Sequence, residues 1–349
     1  MLKENNKYYD FKDVLIIPKA SNINSRQNVE LNREIIFKNG IKWKGIPIIA
    51  ANMTTTGTFE VYNVLSKYNI ITALHKFHKL QDFLNYNNTN TNTNTTKLNP
   101  DYFMVSTGIS DSDYENLVNI LDNFECKFIL IDIANGYISD FKNFCKKVRN
   151  KYVNKIIVAG NVCTKEGVNA LIDCDIDIIK CGIGGGSACT TRIQTGIGMP
   201  QLSTVLECSK AAKQKNKYII SDGGITCPGD CSKAFGSGAD FVMIGGEFAG
   251  HDENPGELID ENGKLYKFFY GMSSKYAMNN NYSANNNNYR SSEGREIKIK
   301  YKGALDNTVN NYLGGIRSTC TYTNCETIKD LHKNCEFILV NNQYNSNLL

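Results

Sequence analysis

The sequence predicts a parallel (β/α)8 barrel of the TIM type, and three observations predict it. Eight short runs rich in Ile, Val and Phe alternate with helix-like segments, each run ends in small or polar residues, and glycines gather after the sixth, seventh and eighth runs. Strands that alternate with helices build a parallel sheet. A doubly wound sheet alternates too, but its glycine fingerprint follows the first strand.

In chain order the runs are IPIIAANM from Ile46, IITALHK from Ile70, YFMVSTG from Tyr102, FILIDIANG from Phe128, KIIVAGNV from Lys155, DIIKCGI from Asp177, YIISDGG from Tyr218 and FVMIGG from Phe241. Between them, charged stretches such as KKVRNKY, Lys146 to Tyr152, read as solvated helix faces. Beyond strand eight the alternation stops from Gly250 to Tyr301, and ELIDENGKLYKFFY carries Asn262-Gly263, a dipeptide that favours a tight hairpin turn. A hairpin and a mobile flap are therefore expected over 250–301. LDNTVNNYLGGIRSTCTY from Leu305 supplies the eighth helix, and FILV at Phe337 a terminal packing strand. Asn85 to Thr96 and Asn279 to Asn288 are low in complexity and too poor in apolar surface to fold alone. The first, 85–96, reads as a solvated insertion between strands two and three of a single domain, 1–349.

A barrel with insertions accounts for 349 residues as one domain. Lys plus Arg number 39 against 35 for Asp plus Glu, with no long basic run, which argues against a dedicated nucleic-acid binder. The start, MLKENNKYYDFKD, is charged and polar, and no segment stays apolar long enough to span a bilayer. A cytoplasmic protein with no membrane partner is the expectation. Most of the twelve cysteines lie in hydrophobic or helix-like stretches, so they read as reduced thiols. No CxxC pair occurs, and Cys227–Cys231 and Cys320–Cys325 lack a matching second pair, so no structural zinc is expected.

In such barrels the chemistry sits at the strand ends, with phosphate at the loops after strands seven and eight. SDGG, Ser221 to Gly224, and IGG, Ile244 to Gly246, fall there. After strand six comes the long loop GIGGGSACTTRIQTGIGMPQ, Gly182 to Gln201. Within it Cys189 is flanked by Ser187, Thr190, Thr191 and Arg192 instead of apolar packing partners. A nearby cation favours the thiolate of such a cysteine, which makes Cys189 the candidate nucleophile. The other eleven read as buried small hydrophobes or surface thiols. His75, His78 and His251 could contact a substrate, with solvated loop histidines as the default.

Taken together, GGGSACTTR, SDGGITCPGD, FVMIGG, FFYGMSS, YRSSEG and LGGIRSTCTY make the chain similar to the GMP reductase branch of the IMP dehydrogenase/GMP reductase family. The resemblance runs from DFKDVLIIPK at Asp10 through FILV in one order, failing mainly in the two Asn-rich tracts. TRIQTGIGMPQ and Glu293 within SSEGRE resemble the reductase pattern, and only the Asn/Thr stretch stands where IMP dehydrogenases usually carry regulatory modules.

The resemblance implies that GMP and NADPH become IMP, ammonia and NADP, a step of purine nucleotide salvage. Cys189 would add to purine C2, giving a thioimidate intermediate, with Thr191 and Glu293 transferring protons. It implies a GMP site of Ser187, Gly223, Gly224, Gly245 and Gly246 around the phosphate and Asp222 on the ribose. The base would lie near Gly271, Met272, Ser273, Arg290, Ser291, Ser292, Glu293 and Gly294. NADPH contacts carry over to Ser25, Arg26, Lys76, Asp132, Ile133, Ala134, Ile183, Gly184, Tyr289, Ser318, Thr319, Cys320 and Thr321. A potassium ion is implied at the carbonyls of Gly184, Gly186, Cys189 and Arg192. A homotetramer is implied as well, its cofactor sites drawing on a neighbouring subunit. The chain departs from the family at Thr54, where Asp is usual, at Gly185, where Pro is usual, and in the Asn-rich stretch before Tyr289. Two other readings stay open, an NAD-dependent IMP dehydrogenase and a nonenzymatic nucleotide-binding barrel; the joint presence of Cys189, Thr191 and Glu293 weighs against the second.

Overall fold

Eight parallel strands close into a barrel in the computed structural model, which describes residues 7–91, 97–277 and 292–341. They are β1 (Ile48–Ala50), β2 (Ile71–Leu74), β3 (Phe103–Thr107), β4 (Phe128–Asp132), β5 (Ile156–Val162), β6 (Ile178–Cys181), β7 (Tyr218–Asp222) and β8 (Phe241–Ile244), and β8 pairs back onto β1. The helices are α1 (Phe59–Leu65), α2 (Leu80–Thr91), α3 (Asp111–Asn123), α4 (Ser139–Lys151), α5 (Lys165–Ile172), α6 (Gln201–Lys213), α7 (Pro228–Gly236) and α8 (Leu305–Tyr322). Side-chain oxygens cap several of them: Thr58, Ser110 and Thr164 accept the N–H of Val61, Asp113 and Gly167.

Strand side chains alternate between two cores, as a period of two requires. Phe128 and Leu130 of β4, Ile178 of β6 and Ile220 of β7 fill the barrel interior. Their neighbours Ile129, Ile131, Ile179 and Ile219 pack outward against the helices. A hairpin of Arg33–Ile36 and Lys42–Gly45 seals the N-terminal end with fully buried Trp43, whose indole N–H donates to the Asp101 carbonyl at 2.9 Å. The C-terminal end is left open for loops.

Beyond β8 the expected hairpin is present. Strands β9 (Ile259–Glu261) and β10 (Lys264–Tyr270) join through Asn262 and Gly263, both at positive φ (54° and 77°), and β11 (Glu296–Lys300) adds a third antiparallel strand. Phe337–Leu339 packs as a strand against Val14–Ile16. Residues 92–96 and 278–291, which hold the second half of the Asn/Thr tract and the expected flap, lie outside the described residues. Among the described residues no helix is long and apolar enough to cross a membrane.

The Asn/Thr tract begins inside a helix: α2 continues through its first residues to Thr91, anchored by buried Phe83 and by Tyr86 stacked on Phe59 at 5.0 Å. Tertiary packing outweighs weak helix propensity there. One expectation needs correction: KKVRNKY is not wholly a solvated face, since Val148 and Arg149 are buried. The Arg149 guanidinium pairs with Asp177 and donates to the carbonyls of Asp175 and Lys155, each at 3.0 Å.

Candidate active site

At the C-terminal mouth, backbone contacts bind the loop after β6 to its neighbours. Gly224 N–H, after β7, donates to the Gly185 carbonyl at 2.9 Å. After β8, a Cβ on Gly246 would stand 2.4 Å from Ser187 Oγ, so a side chain there would push the Ser187 hydroxyl out of its present position. Cys189 pairs with Gly294 as an isolated antiparallel bridge. Thr190 N–H donates to the Glu293 carbonyl at 2.8 Å and Arg295 N–H to the Ala188 carbonyl at 2.9 Å. The Arg295 guanidinium clamps the Ser187 carbonyl through Nε at 3.0 Å and Nη2 at 2.8 Å.

This bridge unites groups 102 residues apart in sequence. The Cys189 thiol donates to Thr191 Oγ1 at 3.2 Å, and the Thr191 hydroxyl donates to Glu293 Oε2 at 2.8 Å. Thiol, hydroxyl and carboxylate thus form one hydrogen-bonded chain along which a proton can pass. All three line a pocket of about 220 Å³. Its walls include Ser187, Asp222, Gly223, Gly224, Gly245, Gly246, Gly271, Met272, Ser273 and Gly294, ten of the expected nucleotide contacts. Ser292 is not among them: its hydroxyl donates to the carbonyls of Ser273 at 3.1 Å and Gly294 at 2.9 Å. Tyr289, Arg290 and Ser291 lie outside the described residues.

A second cavity of about 640 Å³ shares Ala134, Met272 and Ser273 with the first, and Lys76, Asp132 and Ile133 line it. Lys76 Nζ pairs with Asp113 at 3.1 Å. Met272 stands on the boundary, where Thr54 N–H donates to its sulfur at 3.4 Å and the Thr54 hydroxyl to Tyr270 OH at 3.0 Å. The departure at Thr54 therefore bears on the wall between the cavities.

Among the described residues, the remaining expected cofactor residues line neither cavity. Ser25 caps the turn Arg26–Asn28, which packs on α8, the helix that carries Ser318, Thr319, Cys320 and Thr321. Cys320 is fully buried and its thiol is pushed up to about 12 by burial, so its sulfur is not offered to a ligand; the Thr319 hydroxyl donates to Ser232 Oγ at 2.9 Å. Ile183 packs against Cys163 and Met199. Gly184, at φ +84°, lies against the Arg192 side chain.

Two expectations about charge are overturned. The Arg192 guanidinium does not face Cys189 but pairs with Asp10 at 3.2 Å and donates to the Met199 carbonyl at 2.7 Å. His75, His78 and His251 are not solvated loop residues. His251 is fully buried, and His75 stacks on His78 with centroids 3.7 Å apart. Burial, and then the neighbouring His78, lower the pKa of His75 to about 3; burial, and then Lys302, lower that of His251 to about 4. Both rings are neutral near neutrality.

Sequence reasoning missed the apolar walls Ala51, Met53, Met243 and Phe269, the clamp Arg295, and the polar residues Asn52, Asn161 and Lys180 of the second cavity. A signal for the last three was present, since polar residues that end barrel strands point at the mouth.

Residues 8–346 match the family described as the IMP dehydrogenase / GMP reductase domain. Over 347 residues the chain is 47% identical to GMP reductase 2 of Homo sapiens, covering 98% of this chain and 97% of that protein. GMP reductase 2 of Mus musculus gives the same figures. Similarity to the GMP reductase of Salmonella typhi is 48% identity over 337 residues, 96% of this chain and 95% of that one.

Proposed function

The chain belongs to the IMP dehydrogenase/GMP reductase family, and on that premise we propose that it is an NADPH-dependent oxidoreductase that converts GMP to IMP and ammonia through a bond between Cys189 and purine C2. The observation that carries this reading is the Cys189–Thr191–Glu293 chain on the wall of a glycine-lined pocket that shares lining residues with a second cavity.

GMP occupies the smaller pocket, with phosphate on Ser187 and the glycines after β7 and β8, ribose on Asp222, and base between Met272 and the cysteine. The Cys189 thiol passes its proton through Thr191 to Glu293 as sulfur bonds C2. The same pair returns that proton to the amine of the tetrahedral adduct, so that the C2–N bond breaks, ammonia leaves and a thioimidate remains. Proton transfer of this kind is worth about 10²–10⁴ in rate. Bound NADPH supplies hydride for C2, after which the C2–sulfur bond breaks and IMP is released.

The larger cavity fits a dinucleotide because it opens onto the first at Ala134, Met272 and Ser273 and carries both a cation, Lys76, and a carboxylate, Asp132. Ser25, Arg26 and Ser318 to Thr321 gather at a different surface of the same chain, so in our reading they serve a neighbouring copy in a homotetramer. Potassium suits the loop after β6 because, among the described residues, the carbonyls of Gly184 and Cys189 accept no backbone N–H. Those of Gly186 and Arg192 each accept one, from Cys189 and Gly196, which leaves a lone pair on each. We take 1–349 as one cytoplasmic catalytic unit, with 85–96 an insertion and 250–301 its hairpin and flap.

The test is turnover of purified protein with GMP plus NADPH and, separately, with IMP plus NAD. NADPH oxidation with IMP formation in the first mixture is expected. Turnover only in the second would replace this reading by IMP dehydrogenase, and turnover in neither by a binding barrel.

A further inference from the structure

Strand parity places three charged residues in the topmost interior layer of the barrel: Asp132 follows Phe128 and Leu130, Lys180 follows Ile178, and Asp222 follows Ile220. Lys180 is 4% exposed. Its Nζ meets Asp132 Oδ1 at 3.1 Å, Asp222 Oδ2 at 2.6 Å and Asn161 Oδ1 at 2.8 Å. An ammonium has three N–H donors, so all are spent inside the protein. Burial opposes the charge, but Asp132 and Asp222 outweigh it and hold the ammonium above the usual lysine range.

The two carboxylates serve different cavities. Asp222 lines the smaller pocket and not the larger; Asp132 lines the larger and not the smaller. Asn161 Nδ2 also donates to Asp222 Oδ2 at 2.8 Å, and Asn52 Nδ2 to Asp132 Oδ2 at 2.7 Å. Among the described residues Asp222 Oδ1 accepts no hydrogen bond and remains available to a ligand hydroxyl.

We propose that Lys180 is a positioning residue that couples the two ligand sites, holding Asp222 for the nucleotide and Asp132 for the dinucleotide through one buried ammonium. The proposal rests on the reading that these cavities take GMP and NADPH. Without the ammonium, two carboxylates share a low-dielectric layer and repel, and each leaves its ligand-facing position. Coupling of this kind is reciprocal: a change at Asp132 alters GMP affinity with no NADPH present.

Calorimetric titration of the full chain with GMP alone tests this. Asp132→Asn should weaken GMP binding about fivefold or more, although Asp132 does not touch the GMP pocket. Lys180→Met should weaken it more than about tenfold, and adding Asp132→Asn to Lys180→Met should cost nothing further. In steady state Lys180→Met raises KM for both GMP and NADPH, whereas a purely structural loss lowers the folded fraction and leaves both KM values unchanged. If Lys180→Met fails to fold, the Asp132→Asn arm decides alone. Wild-type GMP affinity in Asp132→Asn overturns the coupling; failure of the wild-type protein to bind GMP overturns the functional reading instead.

Discussion

Strand β6 has a buried ionic cluster at each end, and the two differ in one respect. At its start, Asp177 Oδ2 takes Arg149 and the Ile157 N–H at 2.9 Å, while Oδ1 takes Lys217 at 3.4 Å. Both oxygens are spent, and Asp177 lines neither of the two mouth cavities. At its end, Lys180 joins Asp132 and Asp222, and Asp222, which lines the smaller pocket, keeps one oxygen without a hydrogen bond among the described residues. The clusters lie about 10 Å apart along one strand. Buried charge alone therefore does not mark a functional site; an unspent hydrogen-bonding position on a residue that lines a cavity does.

If the mouth serves chemistry and the floor stability, substitutions should separate the two. The largest effect is expected from Cys189→Ala, which should abolish GMP-dependent NADPH oxidation while GMP binding and melting temperature stay near wild type; retained turnover removes Cys189 from the mechanism. Glu293→Gln should lower kcat by about 10²–10⁴ and GMP affinity far less. Unchanged single-turnover deamination would count against its proton-transfer role. At the floor, Arg149→Met leaves buried Asp177 with Lys217 and the Ile157 N–H but without its closest cation, and should cost up to about 3–5 kcal/mol in urea unfolding with kcat per folded molecule unchanged. A loss of kcat without a loss of stability would break the comparison.

The smallest effect is graded with pH. His75 and His251 are neutral when folded, with pKa values of about 3 and about 4 against an ordinary 6.5. Below about pH 6.5 the unfolded chain takes up protons that the native state refuses, so stability is full above that pH and falls as pH drops toward those folded values, by up to roughly 1.4 kcal/mol per pH unit per histidine. Urea midpoints that do not move between about pH 7.5 and about pH 5 would contradict these buried neutral rings.

Much of the barrel was legible because its signals are local. Each strand is one β-branched run, and Asn262-Gly263 carries its turn in two residues. Cys189 and the glycine loops stood out for the same reason, whereas Thr191 and Glu293 needed the family resemblance, since only folding brings the two together. Lys180 was hidden inside DIIKCGI because the run was read as one β-branched strand without assigning its residues to faces; its place facing the mouth follows from counting every second residue from Ile178. Arg149 was misread because its burial depends on Asp175 and Asp177, a later turn and strand start. Arg192 was misread because its partner, Asp10, is 182 residues away.

Everything proposed for the mouth depends on attack of the Cys189 sulfur on the purine. Protein mixed with GMP and quenched in the absence of reductant can be weighed by mass spectrometry. The peptide containing Cys189 should gain the mass of GMP less ammonia, and Cys189→Ala should show no such gain. Turnover of GMP by a protein that forms no adduct, or an adduct on another of the twelve cysteines, would contradict that attack.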